Sequence, residues 1–185
     1  MKILCIAVSH RQDSLNKKLA QNFENQFLSL HCSVTNLDFD KLCIPLFHGE
    51  KALNKDDIPN NIHFLNAQLQ SHDALILCSP EYNSSISCVL KNMIDWLSVL
   101  KPNPFLNKPV LLSCATPSET NGKMGLWQTR IPLEALFAQV HSEMFCLNKA
   151  HLYFDEKGKL NDEKIEQRLK NLAQSFMNYC QKLLN

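Results

Sequence analysis

Ser79-Pro80-Glu81-Tyr82-Asn83-Ser84-Ser85-Ile86-Ser87-Cys88-Val89-Leu90-Lys91-Asn92-Met93-Ile94-Asp95-Trp96-Leu97-Ser98 is the stretch whose reading decides the fold. It follows the all-apolar run Ala74 to Cys78. It leads into Ile86, Val89, Leu90, Met93, Ile94 and Leu97 at helical spacing, so the segment describes a strand, a polar turn and a helix over 86–100. A turn of this kind is where an α/β sheet places a ligand. Loops leaving the carboxyl ends of parallel strands offer free backbone N–H groups, and the helix that follows adds the positive end of its dipole.

The same unit occurs at the start of the chain. Lys2 to Val8 is a buried-strand run, and Ser9-His10-Arg11-Gln12-Asp13-Ser14-Leu15-Asn16 opens a helix with Leu15, Leu19, Phe23, Phe27 and Leu30 on its apolar face. Ser9, Arg11, Ser14 and Asn16 bring hydroxyl, guanidinium and amide donors to one helix start, the chemistry that a phosphate monoester requires. The alternative use of the same residues is structural, with Ser14 capping the helix and Arg11 a solvated charge.

Between and beyond these units the pattern alternates. Strands are expected at 2–8, 33–39, 73–79, 109–115 and 144–153. Helices are expected at 14–30, 60–71, 86–100, about 127–141, starting close to Pro132, and 162–184. Strands separated by helices imply a parallel, doubly wound α/β sheet of five strands in one domain spanning 1–185, because parallel neighbours need crossover connections of constant hand. The expected order is 2-1-3-4-5, whose switch point lies between strands 1 and 3, the two that carry the polar turns. The connection over 40–60 has no repeat and reads as a surface loop or a cleft rim.

The two turns together resemble those of the NADPH-dependent FMN reductase family, a flavodoxin-like group that includes quinone, azo and chromate reductases. Ser9, Arg11, Ser14 and Asn16 match its phosphate-binding motif, and Pro80, Glu81, Tyr82 and Asn83 match the turn that lies against the isoalloxazine ring. Val89-Leu90-Lys91-Asn92, Asp95-Trp96-Leu97 and Phe154 to Leu160 extend the likeness over nearly the whole chain. The sequence departs from the family where Gly is usual, at Val8, Asp13, Ser84 and Cys88, and has Ser87 in place of Pro. It also has a longer, polar third loop running from Thr116 to Gly125.

The resemblance implies a flavodoxin-like sandwich with noncovalent FMN as cofactor and NADPH or NADH as co-substrate. Ser9, Arg11, Ser14, Asn16, Pro80, Glu81, Tyr82, Asn83, Ser84, Ser85, Thr116 and Ser118 would contact the cofactor. No side chain is required as a catalytic acid or base, because the flavin carries the hydride chemistry. Two electrons would pass from the nicotinamide to a quinone, azo compound, flavin or similar small acceptor. Glu81 would orient its loop through Lys91 or an adjoining subunit. The family also implies a homodimer or a dimer of dimers built with the helix after the Tyr82 turn, where Trp96 would serve either the interface or the core. A flavodoxin-type electron carrier and a regulatory relative without flavin are the alternative functions.

Bulk properties narrow the rest. A formal charge of +1 over 185 residues offers no basic field for nucleic acid. The apolar runs are strand-sized, and the first begins at residue 3 without a charged leader, so a cytoplasmic protein with no membrane partner is expected. The eight cysteines include no Cys-x-x-Cys pair and the seven histidines no zinc-type spacing, so reduced thiols rather than a metal site are expected. Cys88 is set apart by its place at a helix start, where a dipole can activate a thiol.

Overall fold

A computed structural model of the chain describes residues 1–52, 54–120 and 122–184. In chain order the elements are β1 (Lys2–Ala7), α1 (Leu15–Ser29), β2 (Ser33–Leu37), the single-turn α2 (Gly49–Ala52), α3 (Asn60–Ser71), β3 (Ala74–Cys78), the two-residue strands β4 (Glu81–Tyr82) and β5 (Ser85–Ile86), α4 (Cys88–Ser98), β6 (Pro109–Ala115), α5 (Lys123–Ala135), β7 (Gln139–Val140), β8 (Phe145–Leu147) and α6 (Glu163–Leu184). The main sheet runs β2-β1-β3-β6, with β7 and β8 sharing the next position, and every pairing in it is parallel. This is the flavodoxin-like order expected from the sequence.

Both faces of the sheet are covered, which is why β1, β3 and β6 read as unbroken apolar runs. Leu4 and Ile6 of β1 face a core built with α3, α4 and α5, and Ile3, Cys5 and Ala7 face the opposite core under α1 and α6. The helices are anchored at defined points. Ser14 caps α1 by accepting from Lys17 N, Ser87 caps α4 by accepting from Leu90 N, and Asp162 accepts from Ile165 N at the start of α6. The buried amide of Asn22 donates to Gly158 O and accepts from Leu160 N, fixing the Phe154–Leu160 turn against α1.

Three expected elements differ. The strand expected at 144–153 is only Phe145–Leu147, followed by a 3-10 turn over Ala150–Leu152, and a separate two-residue strand at Gln139–Val140 precedes it. Arg130 takes the carbonyls of Val140 and His141, Glu143 N donates to the His141 ring, and Lys149 turns into the left-handed region at φ +45°. The helix expected at about 127–141 begins at Lys123 and ends at Ala135, so Pro132 sits in its last turn rather than at its start. The helix expected from 86 begins at Cys88, because Ile86 pairs with Glu81 in a hairpin.

Trp96 belongs to the core. It is only 2% exposed, its Nε1 donates to Pro45 O at 2.8 Å, and Phe47 lies edge-on with ring centroids 5.1 Å apart. Asn92, one turn earlier, accepts from Phe47 N and donates to Pro45 O. The Asn92/Trp96 pair therefore clamps the 43–47 segment onto α4 and leaves the indole unable to anchor a partner subunit.

All eight cysteines are free thiols, with Cys43 and Cys88 exposed and Cys5, Cys32, Cys78, Cys114 and Cys180 buried. Burial pushes the Cys114 and Cys180 thiols up to about 12. An aromatic disulfide reagent should therefore titrate two thiols rapidly in the folded protein, Cys43 and Cys88. The buried ones should react only on unfolding, and fast loss of more than three thiols would contradict this packing.

Candidate functional site

The loops after β1 and β3 meet at the switch point in an open cleft of about 490 Å³, within the roughly 300–1,000 Å³ typical of small-molecule sites. Ser9, Arg11, Ser14, Asn16, Pro80, Glu81, Tyr82 and Thr116 form its walls, together with Asp13, Leu15, Ala115, Pro117 and His151. Cavities of about 400 and 530 Å³ flank the edge strand β2, but their cations Lys17 and Lys41 are paired with Asp40 and Asp38. The first cleft instead brings a guanidinium, two hydroxyls and a helix start together.

The hydrogen-bond accounting at the β1 end is specific. Ser9 and Ser14 are buried, and each hydroxyl oxygen accepts one backbone N–H, from Arg11 and Lys17 respectively. Their hydroxyl protons and the N–H groups of Leu15 and Asn16 meet no acceptor among the described residues. The exposed Arg11 guanidinium likewise has no described partner. Two hydroxyls, a guanidinium and a helix N-terminus together make a donor set with the chemistry of a phosphate site.

Asn16 is put to a different use from the one expected. Its amide donates to Ala115 O at 3.0 Å and accepts from Ala115 N at 2.9 Å, so it ties the start of α1 to the end of β6 and sets the width of the cleft. Beside the site, Asp40 bonds Lys17 and accepts from His10 Nδ1 at 2.9 Å. The Lys17 ammonium, and then His10, hold the Asp40 carboxyl below its ordinary range. A carboxyl depressed in the folded state contributes stability that is present above its unfolded value of about 4 and lost as pH falls through the folded value. The stability gap between wild type and Asp40→Asn should therefore shrink as pH falls below about 4, as read by urea unfolding. A gap that stays constant down to the acid limit would refute the pairing.

At the β3 end, Glu81–Tyr82 and Ser85–Ile86 form a hairpin whose central residues Asn83 and Ser84 have φ +50° and +58°. Such a turn needs both central residues left-handed, which suits the twist of a two-residue hairpin. Of the four positions where Gly is usual in the resembling family, only Ser84 has positive φ. Val8 continues the strand by donating to Cys78 O.

Glu81 does not reach Lys91, which pairs with Asp95. Its Oε2 accepts from Gly125 N at 2.8 Å, at the positive end of α5. Asn83, Ser84 and Ser85 lie outside the cleft walls. The Ser85 hydroxyl donates to Gln128, while the N–H groups of Asn83 and Ser84 meet no described acceptor. Ser118 also lies outside, its hydroxyl oxygen accepting from Thr120 N and Oγ1. Within the third loop, Asn121 lies outside the described residues.

His151 was not foreseen. It reaches the cleft because Ala150 N donates to Thr116 O and Lys149 N to Ser118 O, folding the segment after β8 against the third loop. No motif marks it, and a continuous strand through 153 hides the turn that brings it in.

The fold and cleft define an α/β protein with a phosphate-type donor cradle and a donor-bearing hairpin at its switch point. The sequence pattern of the NADPH-dependent FMN reductase family matches residues 1–152, and the protein belongs to that family. It is similar to an NAD(P)H-dependent FMN reductase of Pseudomonas aeruginosa, 29% identical over 144 residues that cover 76% of this chain and 75% of the relative. A quinone reductase of Escherichia coli is 33% identical over 97 residues, about half of each chain (52% and 51%). Among solved structures, the flavoenzyme NAD(P)H:(acceptor) oxidoreductase FerB of Paracoccus denitrificans superimposes with a TM-score of 0.82 over 98% of this chain and 97% of its own, at 20% identity, a likeness of fold. The protein is thus an oxidoreductase with FMN as cofactor and NAD(P)H as co-substrate.

Proposed function

We propose that the cleft between the β1 and β3 loops holds FMN noncovalently, with Ser9, Arg11, Ser14 and the first N–H groups of α1 at its phosphate and the Tyr82–Ser84 turn at its ring. The acceptor is a quinone, an azo compound, free flavin or a similar small molecule, as the names of the relatives suggest. FMN, when bound, supplies the two-electron chemistry between a nicotinamide and such an acceptor. The chain's own contribution is to bind and orient. Arg11 and the serine hydroxyls neutralise and fix a phosphate, Tyr82 offers an exposed ring at the cleft wall, and the N–H groups of Asn83 and Ser84 are free to stabilise negative charge. Asn16 holds the two sides at a set separation.

The observation that carries this reading is the set of unpartnered donors at the β1 end of the cleft, faced across it by Pro80, Glu81 and Tyr82 at the base of the hairpin. Colour tests it. Purified protein that is yellow, or becomes so with FMN, and is bleached rapidly by NADPH or NADH supports a reductase. Yellow protein that is not bleached supports an electron carrier instead, and protein that ignores added FMN supports a relative without flavin. Either of the latter results contradicts the proposal.

Assembly as a homodimer or dimer of dimers, in the cytoplasm, completes the reading. No helix among the described residues is long and apolar enough to cross a membrane. With Trp96 buried, support for a subunit contact comes from α5, which exposes Met124, Trp127 and Ile131 on one face beside the hairpin. Light scattering that shows only monomer at micromolar concentration would defeat the dimer.

A further inference from the structure

The hairpin turn is held in a conformation that Ser84 resists. Asn83 and Ser84 both occupy the left-handed region, where a side chain crowds its own backbone, and Ser is not among the residue types that visit it routinely. A two-residue loop between two-residue strands has little pairing of its own to enforce that shape. The restraint comes from α5.

Gln128 grips the turn with both ends of its amide. Its Nε2 donates to Ser84 O at 3.0 Å, and its Oε1 accepts from the Ser85 hydroxyl at 2.5 Å. One turn earlier in α5, Gly125 N donates to the Glu81 carboxylate, and Gly125 has no room for a side chain. A Cβ there would meet Ser85 O at 2.9 Å and the Glu81 Cβ and Cγ at 3.1 Å. The helix thus lies directly on the hairpin.

These contacts also sort the polar groups of the turn. Two of its acceptors, the Ser84 carbonyl and one oxygen of the Glu81 carboxylate, are bonded to α5, and the Ser85 hydroxyl is spent on Gln128. Its donors, the N–H groups of Asn83 and Ser84, stay without a described partner. Two adjacent free N–H groups suit an electron-rich ligand edge that gains negative charge during reaction.

We propose that Gln128 is a positioning residue for the oxidoreductase reaction: it holds the Asn83–Ser84 turn left-handed, so that its backbone donors stand ready for the flavin. This rests on the reading that the cleft holds FMN. Gln128 acts through the turn rather than by touching the reacting atoms.

The test uses Gln128→Met, which keeps length and flexibility but loses both hydrogen bonds, alone and combined with Ser84→Gly. Gly adopts positive φ without strain, so it should restore a turn that has lost its clamp. In FMN-saturated, folded protein, Gln128→Met should slow anaerobic reduction by NADPH about tenfold and shift the potential of the bound flavin. Adding Ser84→Gly should recover most of the rate. In FMN-free protein, amide exchange at residues 81–86 should rise on the order of tenfold in Gln128→Met and fall again in the double variant.

Unchanged rate, potential and exchange in Gln128→Met would overturn the assignment, as would a loss that Ser84→Gly leaves untouched. Lower thermal stability with normal kinetics and potential would reduce Gln128 to a packing residue and also overturn it. The wild-type control separates the two levels: wild type that takes up no FMN removes the underlying reading, whereas wild type that is reduced at the same rate as Gln128→Met removes only the role of Gln128.

Discussion

Replacement of Asn83 and Ser84 together by proline is expected to slow NADPH-driven reduction of the FMN-saturated protein by roughly a hundredfold, the scale seen when positioned backbone donors are removed from a reacting centre. Proline fixes φ near −65°, whereas these residues stand at +50° and +58°, so neither can keep its backbone conformation. Two unpartnered N–H groups disappear as well, and the Tyr82↔Ser85 register opens. The hairpin lies off the main sheet, whose strands β1, β3 and β6 pair independently of it, so circular dichroism should show the fold retained. Anaerobic stopped-flow reduction of wild type and variant, both saturated with FMN, reads the effect. Equal rates would take the turn out of the flavin site.

Arg11→Ala should weaken FMN binding by about 1.5–3 kcal/mol, the usual loss for a charge-assisted hydrogen bond, or roughly ten- to 150-fold in Kd. The guanidinium is exposed and has no described partner, so the change should leave stability near that of wild type. Ser14→Ala should also weaken FMN retention and be rescued by excess FMN. It is a less clean probe, because Ser14 caps α1 and its loss costs about 1 kcal/mol of stability. A titration of Arg11→Ala that matches wild type would reject the phosphate assignment. Reduction at saturating FMN should be little affected in Arg11→Ala, in contrast to the proline variant, because the two ends of the cleft serve different steps.

Much of this arrangement is legible in the sequence where a single physical rule dominates. β1, β3 and β6 are buried on both faces, so their apolar runs mark them within a residue or two, and α3 and α6 carry their periodicity to within a residue of their observed ends. The donor cluster at the start of α1 is equally readable, because Ser9, Arg11, Ser14 and the helix start are neighbours in sequence.

Where the sequence misleads, a distant group competes for the backbone. The third loop takes the N–H groups of Lys149 and Ala150 and ends the last strand at Leu147, and Glu81 draws Ile86 out of the helix and into a hairpin. Asn16 looks like one more phosphate donor until β6 brings Ala115 to it from 99 positions away. Gly125 and Gln128 sit in a loop-and-helix stretch with no motif, and their role exists only once α5 lies on the hairpin.

The claim that the β1 loop and α1 form a phosphate site can be tested without turnover. Fluorescence titration of the wild-type protein with FMN and, in parallel, with riboflavin compares ligands that differ only by the phosphate. Saturable FMN binding is expected, with riboflavin weaker by at least about tenfold and with that preference largely gone in Arg11→Ala. Equal affinity for the two ligands in wild type, or no binding of FMN at all, would contradict the claim.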